Sequence, residues 1–173
     1  MNKAVFLDRD GVINDNKHPV NKPKDLILFP WTYDALKMLY DAGYMLFVVT
    51  NQGGIEMGYF TADDLEKIHE KMLSDLSTKK ITIHDIAYCP HFKTKCSCRK
   101  PLPGMLLDLA QRYEVDMQYS WMVGDRDMDI EAGVKAGCKT IKIGKSHPEA
   151  TYTVENLLEA AQYILGIREK VEC

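Results

Sequence analysis

The chain lacks any apolar run long enough to cross a membrane: the longest, residues 44–49, is six residues, against the ~20 a spanning helix needs. It lacks a cleavable leader as well, because its first apolar run, residues 4–7, is short and ends in Asp8-Arg9-Asp10. Positive charge is not in excess. The 22 basic and 25 acidic residues leave −3, so no global basic field draws nucleic acid. Repeats, low-complexity tracts and Ser/Gly linkers are missing, which argues against strings of modules. Missing too is a Gly-x-x-x-x-Gly-Lys loop, which argues against a nucleoside triphosphatase of that type. At 46% apolar and 27% charged residues, the chain is no disordered segment. Its 173 residues suit one domain, 1–173, able to bury a core without staples. The expectation is a cytoplasmic, soluble, single-domain protein, with a monomer as the simplest state.

Cysteine is present five times, and three of the five, Cys89, Cys96 and Cys98, sit within ten residues beside His91. Without an export signal, such a cluster favours metal over disulfides. Each pair, Cys89/His91 and Cys96/Cys98, is spaced i, i+2, so in extended backbone both members point the same way and grip one ion. Three thiolates and an imidazole make a closed tetrahedral Zn²⁺ site with no open position, hence a structural one. Free thiols or a disulfide are the competing readings. Cys138 reads as a small core residue and Cys173 as a tail thiol.

Strand-like runs alternate with helix-period segments, the pattern of an α/β, doubly wound, mostly parallel sheet with helices on both faces. Strands are expected at 3–7, 44–49, 85–88, 120–123 and 140–143. Helices are expected at 33–41, from the N-cap Thr61 along the Leu65/Ile68/Met72/Leu76 face, and at 103–113, 128–136 and 155–165. The order reads βαβα throughout, with a long loop over 11–29 and no large cap domain. His69 and His84 read as surface or packing residues, Trp31 and Trp121 as core, and Asp63, Asp64, Glu66, Glu70 and Lys71 as a wet helix face.

Ligands of such sheets bind at the carboxyl ends of the strands, so what each strand ends in matters. The ends carry Asp8 and Asp10, then Thr50 and Asn51, then the Cys/His loop with Arg99 and Lys100, then Asp125. Two carboxylates beside Gly11, joined by Asp125, can share a hard cation, and with Lys100 they can hold Mg²⁺ and one phosphoryl group. A carboxylate so placed can attack phosphorus while its neighbour handles the proton. Taken alone, Asp-x-Asp-Gly is more often a polar turn after a strand.

Together, Asp8-Arg9-Asp10-Gly11-Val12, Thr50-Asn51, Lys100 and Gly124-Asp125 with Asp129 resemble the haloacid-dehalogenase-like phosphohydrolases in order and placement. The resemblance implies Asp8 as nucleophile, Asp10 as general acid/base, and Thr50 and Lys100 as holders of the transferring phosphoryl group. It implies Mg²⁺ on Asp8, the backbone carbonyl of Asp10, and Asp125. The loop Cys-x-His…Cys-x-Cys-Arg-Lys-Pro looks like the branch containing phosphatases of heptose 1,7-bisphosphate and of histidinol phosphate. Pro103-Gly104-Met105 leans toward the heptose side, Arg126 toward the histidinol side. The likeness also aligns Asn16, Lys17, His18 and Pro19 with a substrate loop, and Asn51, Gln52, Gly53, Arg99 and Arg126 with further substrate contacts. A small phosphorylated metabolite is the expected partner. The basic residues Lys93, Lys95, Arg99 and Lys100 fit one anionic small molecule better than nucleic acid. Rival readings are a phospho-Asp signalling receiver, which needs neither Asp10 nor the metal loop, and a non-catalytic zinc module.

Overall fold

The structure, a computed structural model, describes residues 1–167; Cys173 lies outside them. Six parallel strands form one sheet: β1 (Ala4–Leu7), β2 (Met45–Asn51), β3 (Asp85–Cys89), β4 (Trp121–Gly124), β5 (Lys139–Ile143) and β6 (Tyr152–Val154), in the spatial order β3-β2-β1-β4-β5-β6. Around it lie α1 (Thr32–Asp41), α2 (Ala62–Ser77), α3 (Gly104–Arg112), α4 (Asp127–Ala136) and α5 (Leu157–Ile164).

Successive strand residues point to opposite faces, and both faces are dry. From β1, Val5 and Leu7 join Leu46, Val48 and Val123 under α1, α2 and α5. Ala4 and Phe6 join Phe47, Val49 and Met122 under α3 and α4. Strands buried on both sides read as unbroken apolar runs rather than alternations, which explains why they stand out in the sequence. Helix starts are equally local. Thr61 Oγ1 accepts from the Asp64 N–H at 3.1 Å while the Asp64 carboxylate accepts from the Thr61 N–H at 2.9 Å, a reciprocal cap that opens α2.

Two expectations need correction. β6 is absent from the sequence reading, and it follows β5 without an intervening helix, so the alternation is not βαβα throughout. Pro103 caps α3 from outside rather than forming its first residue. Of the two readings of His69, surface and packing, the structure gives the buried one and adds a polar neighbour, Arg9. The 11–29 loop contains a short 3₁₀ turn at Pro23–Asp25, and Val12, Ile13, Val20 and Leu26 bury themselves to anchor it.

The chain runs β1-β2-β3 toward one edge, then returns to β4-β5-β6 on the other side of β1. The order reverses between β1 and β4, and the crevice above their carboxyl ends is where such sheets receive ligands.

Candidate active site

Asp8 follows β1 directly, and its N–H donates to the Val123 carbonyl of β4 at 3.0 Å. The loop after β4 brings Asp125, and the first turn of α4 brings Asp129. Carboxylate oxygens of Asp8, Asp125 and Asp129 lie within 4.8 Å of one another. Two glycines make this approach sterically possible. Gly11 has φ +84°, and a Cβ there would fall 2.1 Å from Asp125 Oδ2. At Gly124 a Cβ would meet the Asp129 Cβ at 2.1 Å. One oxygen of the cluster, Asp125 Oδ1, is buried with no hydrogen-bond partner.

Lys100 enters the cluster from the loop after β3 and is 1% exposed. Its ammonium donates to Asp8 Oδ1 at 3.0 Å, Asp129 Oδ1 at 2.6 Å and the Val49 carbonyl at 2.8 Å. Burial opposes its charge, but the two carboxylates outweigh burial and raise its pKa. The Asp8 carboxyl is held well above its usual range, first by burial and then by Asp129, with Lys100 opposing. Asp125 is raised for the same two reasons, burial first and Asp129 second. Three carboxylates around one ammonium are thus under-neutralised, and the orphaned Asp125 oxygen adds an acceptor without a donor. This is the donor set of a hard divalent cation, oxygen only, and the residues fit Mg²⁺.

Asp10 is held differently. Burial acts to raise its pKa, but Arg9 and hydrogen bonds from Asn14 and Gln52 win and keep the carboxyl below its usual range. Its side chain is not part of the acidic cluster. Arg9 Nη2 donates to it at 2.9 Å, Asn14 Nδ2 at 3.0 Å and Gln52 Nε2 at 3.2 Å. Behind Arg9 stands His69, whose pKa falls to about 4, first from burial and then from the Arg9 charge. An unfolded histidine titrates near ~6.5, so the unfolded chain takes up this proton before the folded one does. The resulting stability is complete above pH ~6.5 and is lost as pH falls toward 4, by up to about 3 kcal/mol. Urea unfolding between pH 7 and 4 should therefore show a one-proton loss of stability in the parent that His69→Gln lacks; identical slopes would refute it.

The other expected residues divide into two groups. Asp8, Asp10, Asn51, Gly53, Arg99, Lys100 and Arg126 line one open cleft, together with Met57 and Phe92. Thr50 and Gln52 are buried beneath it. Gln52 Nε2 donates to Thr50 Oγ1 at 2.8 Å, which leaves the threonine hydroxyl proton free. Both amide atoms of Asn51 are used by the Lys100 backbone, at 3.0 and 3.1 Å. Asn51 and Gln52 therefore brace neighbouring residues in addition to any contact with a ligand. Asn16 approaches Gly11. Lys17, His18 and Pro19 are exposed and are not part of the cleft wall. Residues without an assigned role in the sequence reading are Asp129, Arg9, Asn14 and His69, along with Glu56.

The Cys/His loop forms a second cluster. Cys89, His91, Cys96 and Cys98 place their ligand atoms within 4.8 Å of one another. Cys89 Sγ lies 3.6 Å from Cys96 Sγ and 3.4 Å from His91 Nδ1, and Cys98 Sγ lies 3.5 Å from the same nitrogen. Tetrahedral bonds of ~2.3 Å to sulfur and ~2.0 Å to nitrogen predict edges of about 3.5–3.8 Å, so these residues fit zinc, although the Cys89–Cys98 approach of 2.9 Å is tighter. Cys89 is pushed up to about 12, mainly by burial, and Cys96 down to about 6 by the Arg99 N–H. The loop is tied down a second way, by Glu56, whose carboxylate accepts from the backbone of Phe92 at 2.6 Å and of Lys93 and Thr94.

Oxygen ligands for a divalent cation beside a buried ammonium, at the switch point of a doubly wound sheet, suit metal-assisted phosphoryl transfer. The comparisons with known proteins agree. The HAD-hydrolase-like family matches residues 97–162. A D-glycero-beta-D-manno-heptose-1,7-bisphosphate 7-phosphatase of Rhodopseudomonas palustris is 43% identical over 142 residues, covering 78% of this chain and 79% of that protein. The D-glycero-alpha-D-manno-heptose-1,7-bisphosphate 7-phosphatase of Photorhabdus laumondii is 34% identical over 177 residues, covering 91% and 97%. The crystal structure of the D,D-heptose 1,7-bisphosphate phosphatase of B. bronchiseptica, complexed with magnesium and phosphate, superposes with a TM-score of 0.89 at 34% identity, covering 96% of this chain and 99% of that one. The chain belongs to the HAD-like hydrolases, in the family of the D-glycero-D-manno-heptose-1,7-bisphosphate 7-phosphatases. No helix among the described residues is long and apolar enough to cross a membrane.

Proposed function

We propose that this chain is a magnesium-dependent phosphomonoesterase that removes the 7-phosphate of D-glycero-D-manno-heptose 1,7-bisphosphate through an aspartyl-phosphate on Asp8. The observation that carries the reading is the Lys100 ammonium, buried between Asp8 and Asp129 at the floor of the cleft. Its family relatives carry that enzyme's name over nearly their full length.

In this reading an Asp8 carboxylate oxygen forms a bond to phosphorus as the ester P–O bond breaks. Asp10 gives a proton to the departing sugar oxygen. It then takes a proton from the water that attacks the phosphorus and frees phosphate. The donors around Asp10 favour its ionised, basic form in the free protein; a phosphate dianion brought beside it raises its proton affinity and suits it to the acid step. Lys100 and the free hydroxyl proton of Thr50 hold the transferring oxygens. Mg²⁺, held by Asp8, the Asp10 carbonyl and Asp125, supplies positive charge to the phosphoryl oxygens. Asp129 keeps Lys100 aimed. Arg99 and Arg126, on the cleft wall, take the rest of the doubly phosphorylated sugar, and the exposed Asn16, Lys17, His18 and Pro19 offer further contacts to its far end.

Zinc on Cys89, His91, Cys96 and Cys98 shapes the loop that presents Arg99. The chain works as one domain without a cap, as a monomer in the cytoplasm, where thiols stay reduced. Two cationic side chains beyond the transferring phosphate favour a bisphosphate over histidinol phosphate, which carries a single phosphate and an amine. The test is phosphate release with Mg²⁺ from both substrates. A preference of a hundredfold or more in kcat/KM for the heptose, about 2.7 kcal/mol in the transition state, is expected. The reverse preference, or equally slow turnover of both, refutes the substrate assignment.

A further inference from the structure

Arg9 is 1% exposed, yet it lies between the two acids assigned to chemistry. A guanidinium has donors only, and burying one is tolerable when its donors find acceptors. Its Nε and Nη2 reach Asp10, at 3.1 Å and 2.9 Å to Oδ1, with Nη2 also 3.2 Å from Oδ2. On the other side, Nη1 lies 3.1 Å from Nε2 of His69. Because Arg9 cannot accept, Nε2 must be the bare nitrogen, so the imidazole is neutral with its proton on Nδ1. His69 comes from the buried face of α2, between Ile68 and Met72, on an element that contributes no residue to the acidic cluster. It is itself 7% exposed.

The guanidinium is one rigid plane on a buried stem, so holding Nη1 limits where Nε and Nη2 can point. The bond from Nη1 to His69 sets the rotation of the guanidinium, and that rotation decides whether Nε and Nη2 meet Asp10. We infer that His69 is a positioning residue: by accepting from Arg9 it locks the guanidinium that orients the Asp10 carboxylate. The inference rests on the proposed acid/base role of Asp10. The order His69–Arg9–Asp10 resembles the way an orienting group fixes a catalytic base elsewhere, with an arginine as the middle member.

The test compares three variants of the full chain with Mg²⁺ and a phosphomonoester substrate. In His69→Gln, Oε1 can take the place of Nε2; in His69→Asn the oxygen stops a bond short; in His69→Leu the acceptor is gone. Expected is a kcat about tenfold or more below the parent for the Leu and Asn variants with KM within about twofold, and recovery to within about threefold for Gln. The Gln–Asn pair keeps the comparison decisive should the Leu variant fail to fold. Equal kcat for Gln and Asn, or a parent-like kcat in a less stable Leu variant, overturns the inference and leaves His69 as packing. Asp10→Asn separates the two levels. A loss of about a hundredfold or more there upholds the acid/base reading, whereas a parent-like rate removes that reading and the inference with it.

Discussion

Asp8→Asn is expected to lower kcat by about 10⁴-fold or more while raising the melting temperature of the magnesium-free protein. Both effects come from the same carboxylate. Without a cation, Asp8 is buried, faces Asp129 and Asp125, and shares one ammonium with Asp129. Its pKa is raised, so the folded state resists its ionisation, and the cost grows as pH rises above the range in which an unfolded carboxyl ionises. Asparagine keeps the shape and removes the charge, and Lys100 keeps Asp129 and the Val49 carbonyl. Relief of about 1 kcal/mol or more would appear as roughly 2–4 °C for a chain of this size. Added Mg²⁺ should reverse the order, stabilising the parent more than a variant that has lost an anionic ligand. Calorimetry in magnesium-free buffer without chelator, which leaves the zinc cluster intact, measures the first effect. Turnover within tenfold of the parent would remove Asp8 as the nucleophile.

That trade of stability for chemistry bears on what could be read from the chain. Residues that break local rules were visible: apolar runs closed by Asp8, Thr50 and Asp125 stand out because buried parallel strands rarely end in groups that need water. Residues that obey local rules are harder to place. Asp129 stands in the motif that carries the resemblance, but its duty there is not legible, because it sits in the first turn of α4, where an acid suits the helix end. It does accept the Arg126 N–H at 3.0 Å with Oδ2, while Oδ1 holds Lys100. A sequence offers no way to see that the two oxygens have separate duties. His69 sits on a buried helix face and reads as packing; its partner lies sixty positions away. β6 is three residues, and its weak Tyr-Thr-Val pattern falls below what periodicity can resolve. Gln52 and Asn51, aligned with substrate contacts, carry a loop's worth of bracing that only the folded geometry reveals.

Removing zinc is expected to raise KM far more than it lowers kcat. The two basic residues at the end of the metal loop hang from different supports. Arg99 donates to the His91 carbonyl at 2.8 Å and stands over the Phe92 ring at 5.4 Å, so its place depends on the metal loop itself. Lys100 is fixed independently, through Asn51 on β2 and through Asp8, Asp129 and Val49. Loss of the ion frees His91 and with it Arg99, while Lys100 stays beside the nucleophile. The expected outcome is a KM about tenfold higher or more, with kcat within about threefold. Glu56 continues to hold Phe92 and Thr94, so the loop loosens rather than unfolds. Loss of the ion still lowers the melting temperature, because the binding energy of a structural metal is stabilisation of the folded state. The measurements are zinc content before and after chelation, then kinetics with Mg²⁺ restored. Cys98→Ser, which removes one ligand without chelator, should reproduce the pattern. Unchanged KM and melting temperature in a chain verified to be zinc-free would assign the cluster no structural role, and a collapse of kcat with KM unchanged would mean that Lys100, not Arg99, depends on the ion.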